Sequence, residues 1–229
     1  MRRRAFLLGA AFAAGLLPGA LRAEPQASPA AAGAPASPAP RPDPKDPENI
    51  LYLDLSTGGR VTILLRPDAA PAHVERVKTL VRRGFYDGLI FHRVIDGFMA
   101  QTGDPKGTGE GGSDLPDLKA EFNNLPHMRG AVSMARTEEP DSANSQFFIT
   151  FAPVLRLDRQ YTVFGRVIAG MEWVDAIPRG EPPADPARIL QASIAADGKP
   201  PPAFPKPAAA LPADLRPSAL PPPPAPPRP

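Results

Sequence analysis

The sequence predicts one mainly β domain, a barrel or a sandwich with two helices, over residues 49–198. Short apolar segments in this range are separated by Gly, Pro, Asp and Asn, which is typical of antiparallel β proteins. Of the 34 prolines, 8 fall in 24–48 and 14 in 199–229, and only 11 are spread over the stretch between them. Because a proline excess is incompatible with regular, hydrogen-bonded structure, only 49–198 is expected to fold.

The chain is expected to open as a hairpin, because residues 49–55 and 61–65 alternate in hydropathy around a pair of glycines. A helix follows, since Pro71 suits a first helical turn and Gly84 suits the position just past a helix end. Its buried face is predicted to carry Val74, Val77, Leu80 and Val81. Five further strands are expected at 89–95, 98–101, 131–134, 146–151 and 161–167. A second, short helix fits 171–177, where Pro178 ends it.

The charge balance and the lack of cysteine exclude several classes of function. The formal net charge is +2, but four arginines fall in the first 23 residues without an acidic neighbour, so the remainder carries 22 basic and 24 acidic residues. This balance gives no reason to expect a nucleic-acid or anionic-membrane partner. Zero cysteines exclude a disulfide framework, a thiol nucleophile and a Cys-ligated metal.

Residues 1–23 have the three parts of a secretory signal peptide: basic residues at 2–4, an apolar run over 5–17 and small residues up to Ala23. The apolar run is shorter than the roughly 20 residues that a membrane span needs, so we expect cleavage after Ala23 and no stable membrane span. The pair Arg3 and Arg4 and the weak hydrophobicity of the apolar run resemble a twin-arginine leader. Export by the twin-arginine route and export by the general secretory route both stay open. An uncleaved amphipathic anchor is the structural alternative.

The two proline-rich flanks, 24–48 and 199–229, lack apolar periodicity and are predicted to be extended or disordered. We interpret the second flank as a solvated spacer. The alternatives are a ligand for a proline-binding partner and a ligand for the domain's own groove.

Several familiar motifs find no support. The Gly-rich stretch 103–112 lacks the spacing of a phosphate-binding loop and runs into Leu-Pro at 115–116, so we predict an ordinary loop. His73, His92 and His127 are too scattered in sequence to indicate a metal site, although their proximity in space stays open. The absence of G-x-S-x-G leaves a serine hydrolase with little support.

Polar residues within aromatic segments form the candidate site. By the strand period of two, Arg93 is expected to share a face with Phe91 and Ile95. Within 146–151, one set is expected in the core and the other at a site: Phe147, Ile149 and Phe151 against Gln146, Phe148 and Thr150. An arginine among apolar residues is costly unless it is paired, so it indicates either a functional cleft or a structural ion pair, for which Glu121 is a candidate.

Four motifs follow one another along the chain: FHRVIDGFMAQTGD at 91–104, SMAR at 133–136, SQFFI at 145–149 and VFG at 163–165. In this order they resemble the cyclophilin family of peptidyl-prolyl cis-trans isomerases, and the resemblance covers roughly 49–195. The Met-Ala-Arg-Thr variant at 134–137 is similar to the bacterial type. The resemblance implies a closed eight-stranded antiparallel β-barrel capped by two α-helices.

Carried over by position, the resemblance makes Arg93 the catalytic arginine and Gln101 a polar partner in its network. The pocket for the substrate proline ring matches Phe98, Met99, Phe148 and Leu157. The groove for the preceding residues matches Ala135, Arg136 and Gln146. Tyr161 stands where many eukaryotic members carry histidine, which leaves a polar edge on the pocket. Arg156 stands where those members carry a tryptophan that contacts cyclosporin.

The resemblance implies a prolyl isomerase that needs no cofactor and acts on proline-containing polypeptides. Together with the signal-peptide pattern, it leads us to expect a monomer that assists the folding of exported proteins in the periplasm or cell envelope. One alternative is a binding module that holds such peptides without turning them over. Another is a structural envelope protein built around the proline-rich flanks, which leaves the four motifs unexplained. The presence of Arg93, Phe98, Gln101 and Phe148 favours the enzyme, since a pure binder could lose the arginine.

Overall fold

The computed structural model describes residues 41–204, so the predicted signal peptide, most of the predicted linker and most of the proline-rich tail lie outside the described residues. Eight antiparallel strands form one sheet: β1 (Ile50–Leu55), β2 (Gly59–Leu65), β3 (Arg93–Ile95), β4 (Met99–Thr102), β5 (Ala131–Met134), β6 (Phe147–Thr150), β7 (Val163–Ala169) and β8 (Ile189–Ile194). The helices are α1 (Pro71–Arg82) and α2 (Met171–Asp175), with 3-10 turns at Pro47–Asn49, Leu155–Leu157 and Ala195–Asp197. Over this range, no helix has both the length and the apolar character that crossing a bilayer requires.

The sheet has the expected number of strands but is open, so the prediction of a closed barrel is wrong. The strand order is β3-β4-β6-β5-β7-β2-β1-β8, and the two edge strands do not pair as strands. The isolated bridges across this seam are Ile90 to Arg188 and Val94 to Gly180, and backbone hydrogen bonds also join residues 88–91 to 187–189. Strand β3 has three residues, and the segment 178–188 beside it contains four prolines, which cannot donate to a ladder. The result is a half-barrel.

The strands predicted from the sequence agree with the structure to within a few residues at most ends, with two exceptions. Strand β8 was not predicted from its own pattern, and only the last three residues of 89–95 are extended. Phe91 precedes β3 and is fully buried in the core, so the prediction that it shares a face with Arg93 is wrong. The two-residue alternation begins only at Arg93, because the residues before it do not belong to a strand.

Helix α1 packs its predicted apolar face, Val74, Val77, Leu80 and Val81, into the core. It ends at Arg82, and Gly84 occupies the predicted position just past the end, with a φ of 69° in the left-handed region. There the N–H of Gly84 donates to the Val81 carbonyl and that of Phe85 to the Leu80 carbonyl, which satisfies two free carbonyls of the last turn. At its other end, Glu121 accepts the N–H groups of Ala72 and His73. Glu121 therefore caps a helix and does not pair with Arg93.

Strand β6 divides its side chains as the alternation predicts. Phe147, Ile149 and Phe151 belong to the hydrophobic core. There Phe147 makes edge-on ring contacts with Tyr86 and Phe164, at centroid distances of 5.5 and 6.0 Å. This packing fixes the strand and turns Phe148 to the opposite face of the sheet.

The Gly-rich stretch 103–112 forms a loop, as predicted, and Asp104 organises it from within. The Asp104 carboxylate is almost fully buried and accepts N–H groups from Lys106, Thr108 and Gly109 at 2.7, 2.9 and 2.6 Å. Burial alone would raise the pKa of Asp104, but these donors outweigh it and hold the pKa below its ordinary value. The backbone donors that could cradle a phosphate are therefore taken by the loop's own carboxylate.

Residues just outside the predicted range 49–198 also contact the domain. Glu48 accepts from Arg82 of α1 at 3.0 Å, and Arg82 also pairs with Asp197 at 3.1 Å. At the other end, the Gln191 side chain donates to the Pro200 carbonyl at 3.0 Å. These contacts fasten the first and last described segments to the sheet and to α1.

Candidate active site

The register of four neighbouring strands sets the candidate residues side by side. Arg93 of β3 lies opposite Gln101 of β4, Gln101 lies opposite Phe148 of β6, and Phe148 lies opposite Ser133 of β5. Directly paired residues of antiparallel strands project from the same face. The sheet therefore builds one row that runs from a charge, through an amide, to an aromatic ring.

This row lies in a cavity of about 570 Å³, a size typical of ligand pockets. Its walls include nine of the ten predicted site residues: Arg93, Phe98, Met99, Gln101, Ala135, Arg136, Phe148, Leu157 and Tyr161. The tenth, Gln146, lines an adjoining cavity of about 380 Å³, which shares four lining residues with the first: Gln101, Gly109, Ala135 and Arg136. The structure thus brings all the predicted residues together in two connected depressions.

The larger cavity has an apolar floor. Met99 and Phe148 are buried, and the His127 ring stacks against Phe148 at a centroid distance of 6.1 Å. Tyr161 meets Phe148 edge-on at 5.9 Å, which leaves its phenol as the polar edge expected there. A floor of this kind suits a small apolar ring such as that of proline.

The smaller cavity is organised by hydrogen bonds. Gln146 accepts from the Gln101 amide at 2.8 Å and donates to the carbonyls of Gly109 and Gly111 at 2.9 and 2.8 Å. Arg136 donates to the Gln160 carbonyl at 2.9 Å. The same guanidinium lies 4.6 Å from the centroid of the Tyr161 ring. Both polar side chains are therefore held in place before any peptide arrives.

Arg93 has a different partner from the expected one. Its Nε donates to Glu181 Oε2 at 2.8 Å, and the two side chains are 42% and 52% exposed. Gln101 donates instead to Gln146, so the expected bond between Gln101 and Arg93 is not formed. The ion pair is exposed at the cavity rim. It is therefore not a pair that compensates for burying the Arg93 charge among apolar residues.

Sequence reasoning missed four parts of the cavity wall: His92, the loop residues 107–109, Glu181 and Pro182. His92 is contiguous with Arg93 and could have been suspected from its position. Glu181 lies 88 residues from Arg93, and neither spacing nor periodicity connects the two.

The three histidines occupy three separate sites. His73 Nδ1 contacts Glu121 at 2.6 Å, and His127 lies between Asp158 at 2.9 Å and Ser133 at 3.1 Å. Burial lowers the pKa of His73, His92 and His127 below the ordinary value, and their carboxylate neighbours compensate only in part. Within residues 41–204, no group of three His, Cys, Asp or Glu side chains could hold a metal ion.

We expect the free energy of unfolding to fall as the pH drops from 7.5 to 5.5. A histidine whose pKa is lowered by folding binds its proton at higher pH in the unfolded chain, so protons favour unfolding once the pH passes below about 6.5. Each histidine contributes a slope of at most about 1.4 kcal/mol per pH unit. Urea denaturation at several pH values, monitored by the fluorescence of Trp173, measures how the free energy of unfolding depends on pH. A free energy that stays constant over this range would contradict it.

The comparisons with known proteins agree with this geometry. Residues 52–194 match the family model described as "Cyclophilin type peptidyl-prolyl cis-trans isomerase/CLD". The chain is 49% identical over 170 residues to a probable peptidyl-prolyl cis-trans isomerase of Brucella suis, covering 67% of this chain and 86% of that protein. It is 42% identical over 132 residues to peptidyl-prolyl cis-trans isomerase B of Bacillus subtilis, covering 57% of this chain and 91% of that protein.

Two solved structures share the fold. The crystal structure of cyclophilin AquaCyp293 from Hirschia baltica has a TM-score of 0.62 and 31% sequence identity, over 66% of this chain and 76% of that one. A cyclophilin-type isomerase of Cryptosporidium parvum, solved in the presence of the dipeptide Ala-Pro, has a TM-score of 0.60 and 30% identity, over 63% of this chain and 98% of that one. The family model spans well over half of the chain, which therefore belongs to the cyclophilin-type family of peptidyl-prolyl cis-trans isomerases, enzymes that act on proline-containing substrates.

Proposed function

We propose that Arg93 and the apolar cavity beside it carry out the isomerisation. The observation that carries this proposal is the guanidinium at the rim of a cavity whose floor is Met99 and Phe148. In this arrangement the substrate proline ring enters the cavity and the Xaa-Pro bond lies across its rim, next to Arg93.

Rotation about an amide bond must break its resonance, against a barrier of about 20 kcal/mol. In the twisted transition state the nitrogen lone pair is localised, and a fixed guanidinium N–H can donate to it. The apolar floor also favours the twisted amide, which is less polarised than the planar one. Both effects stabilise the transition state more than the ground state, so the rate rises without a nucleophile or an ionising acid or base.

We propose that the residues before proline lie along the smaller cavity, against Ala135, Arg136 and Gln146. The supporting observation is that the Gln146 amide and the Arg136 guanidinium are both fixed by backbone carbonyls around the groove. A side chain fixed in this way loses little conformational entropy when a peptide binds. An Ala-Pro peptide extended by one or two residues on its N-terminal side is the suitable probe, assayed for cis-trans exchange by NMR.

We propose further that the enzyme works as a monomer on exported proteins in the periplasm or cell envelope. The support for export is the signal-peptide pattern of residues 1–23, with its small residues up to Ala23. Slow Xaa-Pro isomerisation limits the folding of many chains, and an exported protein folds after it has crossed the membrane.

In an exporting bacterium, the mature protein is expected to begin at or near Glu24 and to occur in the soluble envelope fraction. Fractionation followed by N-terminal sequencing measures both properties. Recovery of most molecules with Met1 intact would contradict cleavage and would favour the uncleaved anchor. Replacing Arg3 and Arg4 by lysine separates the two export routes, since the twin-arginine route depends on that pair.

A further inference from the structure

The segment after α2 returns along β3 and is fixed to it by a two-way bridge. The N–H of Val94 donates to the Gly180 carbonyl at 2.8 Å, and the N–H of Gly180 donates to the Val94 carbonyl at 2.9 Å. Gly180 has a φ of 149°, and a Cβ at this position would lie 2.6 Å from Pro183 Cα. The bridge therefore needs glycine, and it places the next residue, Glu181, beside Arg93.

Arg179 holds the same segment from its other side. Its guanidinium lies 4.1 Å from the centroid of the Phe151 ring, and its Nε donates to Asp96 at 3.1 Å. Phe151 is a core residue, so this contact ties the segment to the interior of the sheet. Glu181 is thus presented from a fixed backbone, even though its side chain is half exposed.

The bond between Glu181 and Arg93 uses only one N–H of the guanidinium, that of Nε. Two other arginines of the protein, Arg60 with Asp54 and Arg66 with Asp68, form bidentate pairs in which both Nε and Nη2 donate. Glu181 takes only Nε, and the two Nη groups of Arg93 have no hydrogen-bond partner among residues 41–204. A bidentate pair would leave three of the five N–H groups, all on the Nη atoms, and would fix one Nη; this single bond orients the guanidinium and leaves both Nη groups, with four N–H, for a substrate.

We propose that Glu181 is a positioning residue, which holds the Arg93 guanidinium at the angle that isomerisation requires. This inference rests on the catalytic role proposed for Arg93. Gln101, the expected partner, is engaged by Gln146, and the Glu181 bond is the one hydrogen bond of the Arg93 side chain within the described part of the chain. An arginine side chain has many rotamers, so the single bond removes orientations in which the guanidinium misses the amide nitrogen.

The exposure of this pair separates a role in positioning from a role in stability. Exposed ion pairs contribute little to folding, so loss of Glu181 is expected to leave the melting temperature nearly unchanged. Loss of orientation instead lowers the fraction of bound substrate that meets a correctly placed donor. The effect then falls on kcat and not on KM.

The test compares Glu181→Ala, Glu181→Gln and Asp185→Ala in the mature chain beginning at Glu24. Glu181→Ala is expected to lower kcat by about 3- to 10-fold with KM nearly unchanged, which is the factor equivalent to one hydrogen bond. Glu181→Gln is expected to restore most of the activity, since its amide oxygen can accept the same N–H. Asp185→Ala removes an equal charge from the same segment without touching Arg93, and it should leave kcat unchanged.

A double-mutant cycle completes the test, because Glu181→Ala is expected to have no further effect once Arg93→Ala is present. The proposal is overturned if Glu181→Ala keeps or exceeds the wild-type kcat, if its loss lies in KM, or if the same loss persists without Arg93. Loss of activity in Arg93→Ala together with full activity in Glu181→Ala would overturn the positioning role alone. Full activity in Arg93→Ala would overturn the proposed mechanism itself.

Discussion

Replacing Arg93 by alanine is expected to lower kcat/KM by about 10²- to 10³-fold while the domain stays folded. Loss of a preorganised donor to the transition state has a cost of this order, about 3 to 4 kcal/mol. Folding should survive, because Arg93 is 42% exposed and lies at the cavity rim, outside the core. NMR exchange on an Ala-Pro peptide gives the rate, and circular dichroism with a melting curve gives the fold.

Two variants sharpen this measurement. Arg93→Lys should recover little activity, since a flexible ammonium does not reproduce the planar fork of a guanidinium. Arg82→Ala is the matched control, because it removes an exposed, ion-paired arginine of α1 outside the cavity wall. A folded Arg93→Ala protein with nearly wild-type activity would refute the mechanism, and its unfolding would show that the ion pair is structural.

Cyclosporin is expected to inhibit this protein about 10²-fold or more weakly than it inhibits relatives that carry tryptophan at the position of Arg156. The Arg156 guanidinium lies 5.0 Å from the centroid of the ring of Phe98, which lines the larger cavity. A charged group there replaces a large apolar contact and an indole N–H donor, a loss of a few kcal/mol. Inhibition of peptide isomerisation over a range of drug concentrations measures the affinity.

Arg156→Trp should tighten cyclosporin binding, and Arg156→Ala separates the two contributions. If the indole contact is what matters, removing the charge alone gives a much smaller gain than introducing tryptophan. Nanomolar inhibition of the wild-type protein would contradict the prediction, because another residue would then supply the contact.

Local sequence patterns predicted the parts of the molecule that depend on near neighbours. The alternation in 146–151 placed Phe147 in the core and Phe148 at the cavity, since a strand must direct successive side chains to opposite faces. Gly84 marked the end of α1, because a left-handed φ at that position favours glycine. The family motifs then identified the residues that line the cavity.

What the sequence did not predict depends on contacts between distant segments. Glu181 reaches Arg93 only because Gly180 pairs with Val94 across the seam of the sheet. Whether the sheet closes depends on how the three-residue strand β3 pairs with the proline-rich segment 178–188. The hydropathy pattern of either segment contains no information about this pairing. Strand β8 was missed because the segment before it is irregular. No turn or periodicity in that segment marks the residue at which extended structure begins again.

The loop built around Asp104 has a consequence for the thermodynamics of substrate binding. A free Gly-rich segment would have to be ordered when a peptide arrives, at a cost of about 1 to 2 kcal/mol for each residue fixed. Here the Asp104 carboxylate immobilises Lys106, Thr108 and Gly109 during folding, before any peptide is present. The conformational entropy of these residues is therefore lost when the domain folds, and a peptide that binds in the proposed groove does not have to order them again.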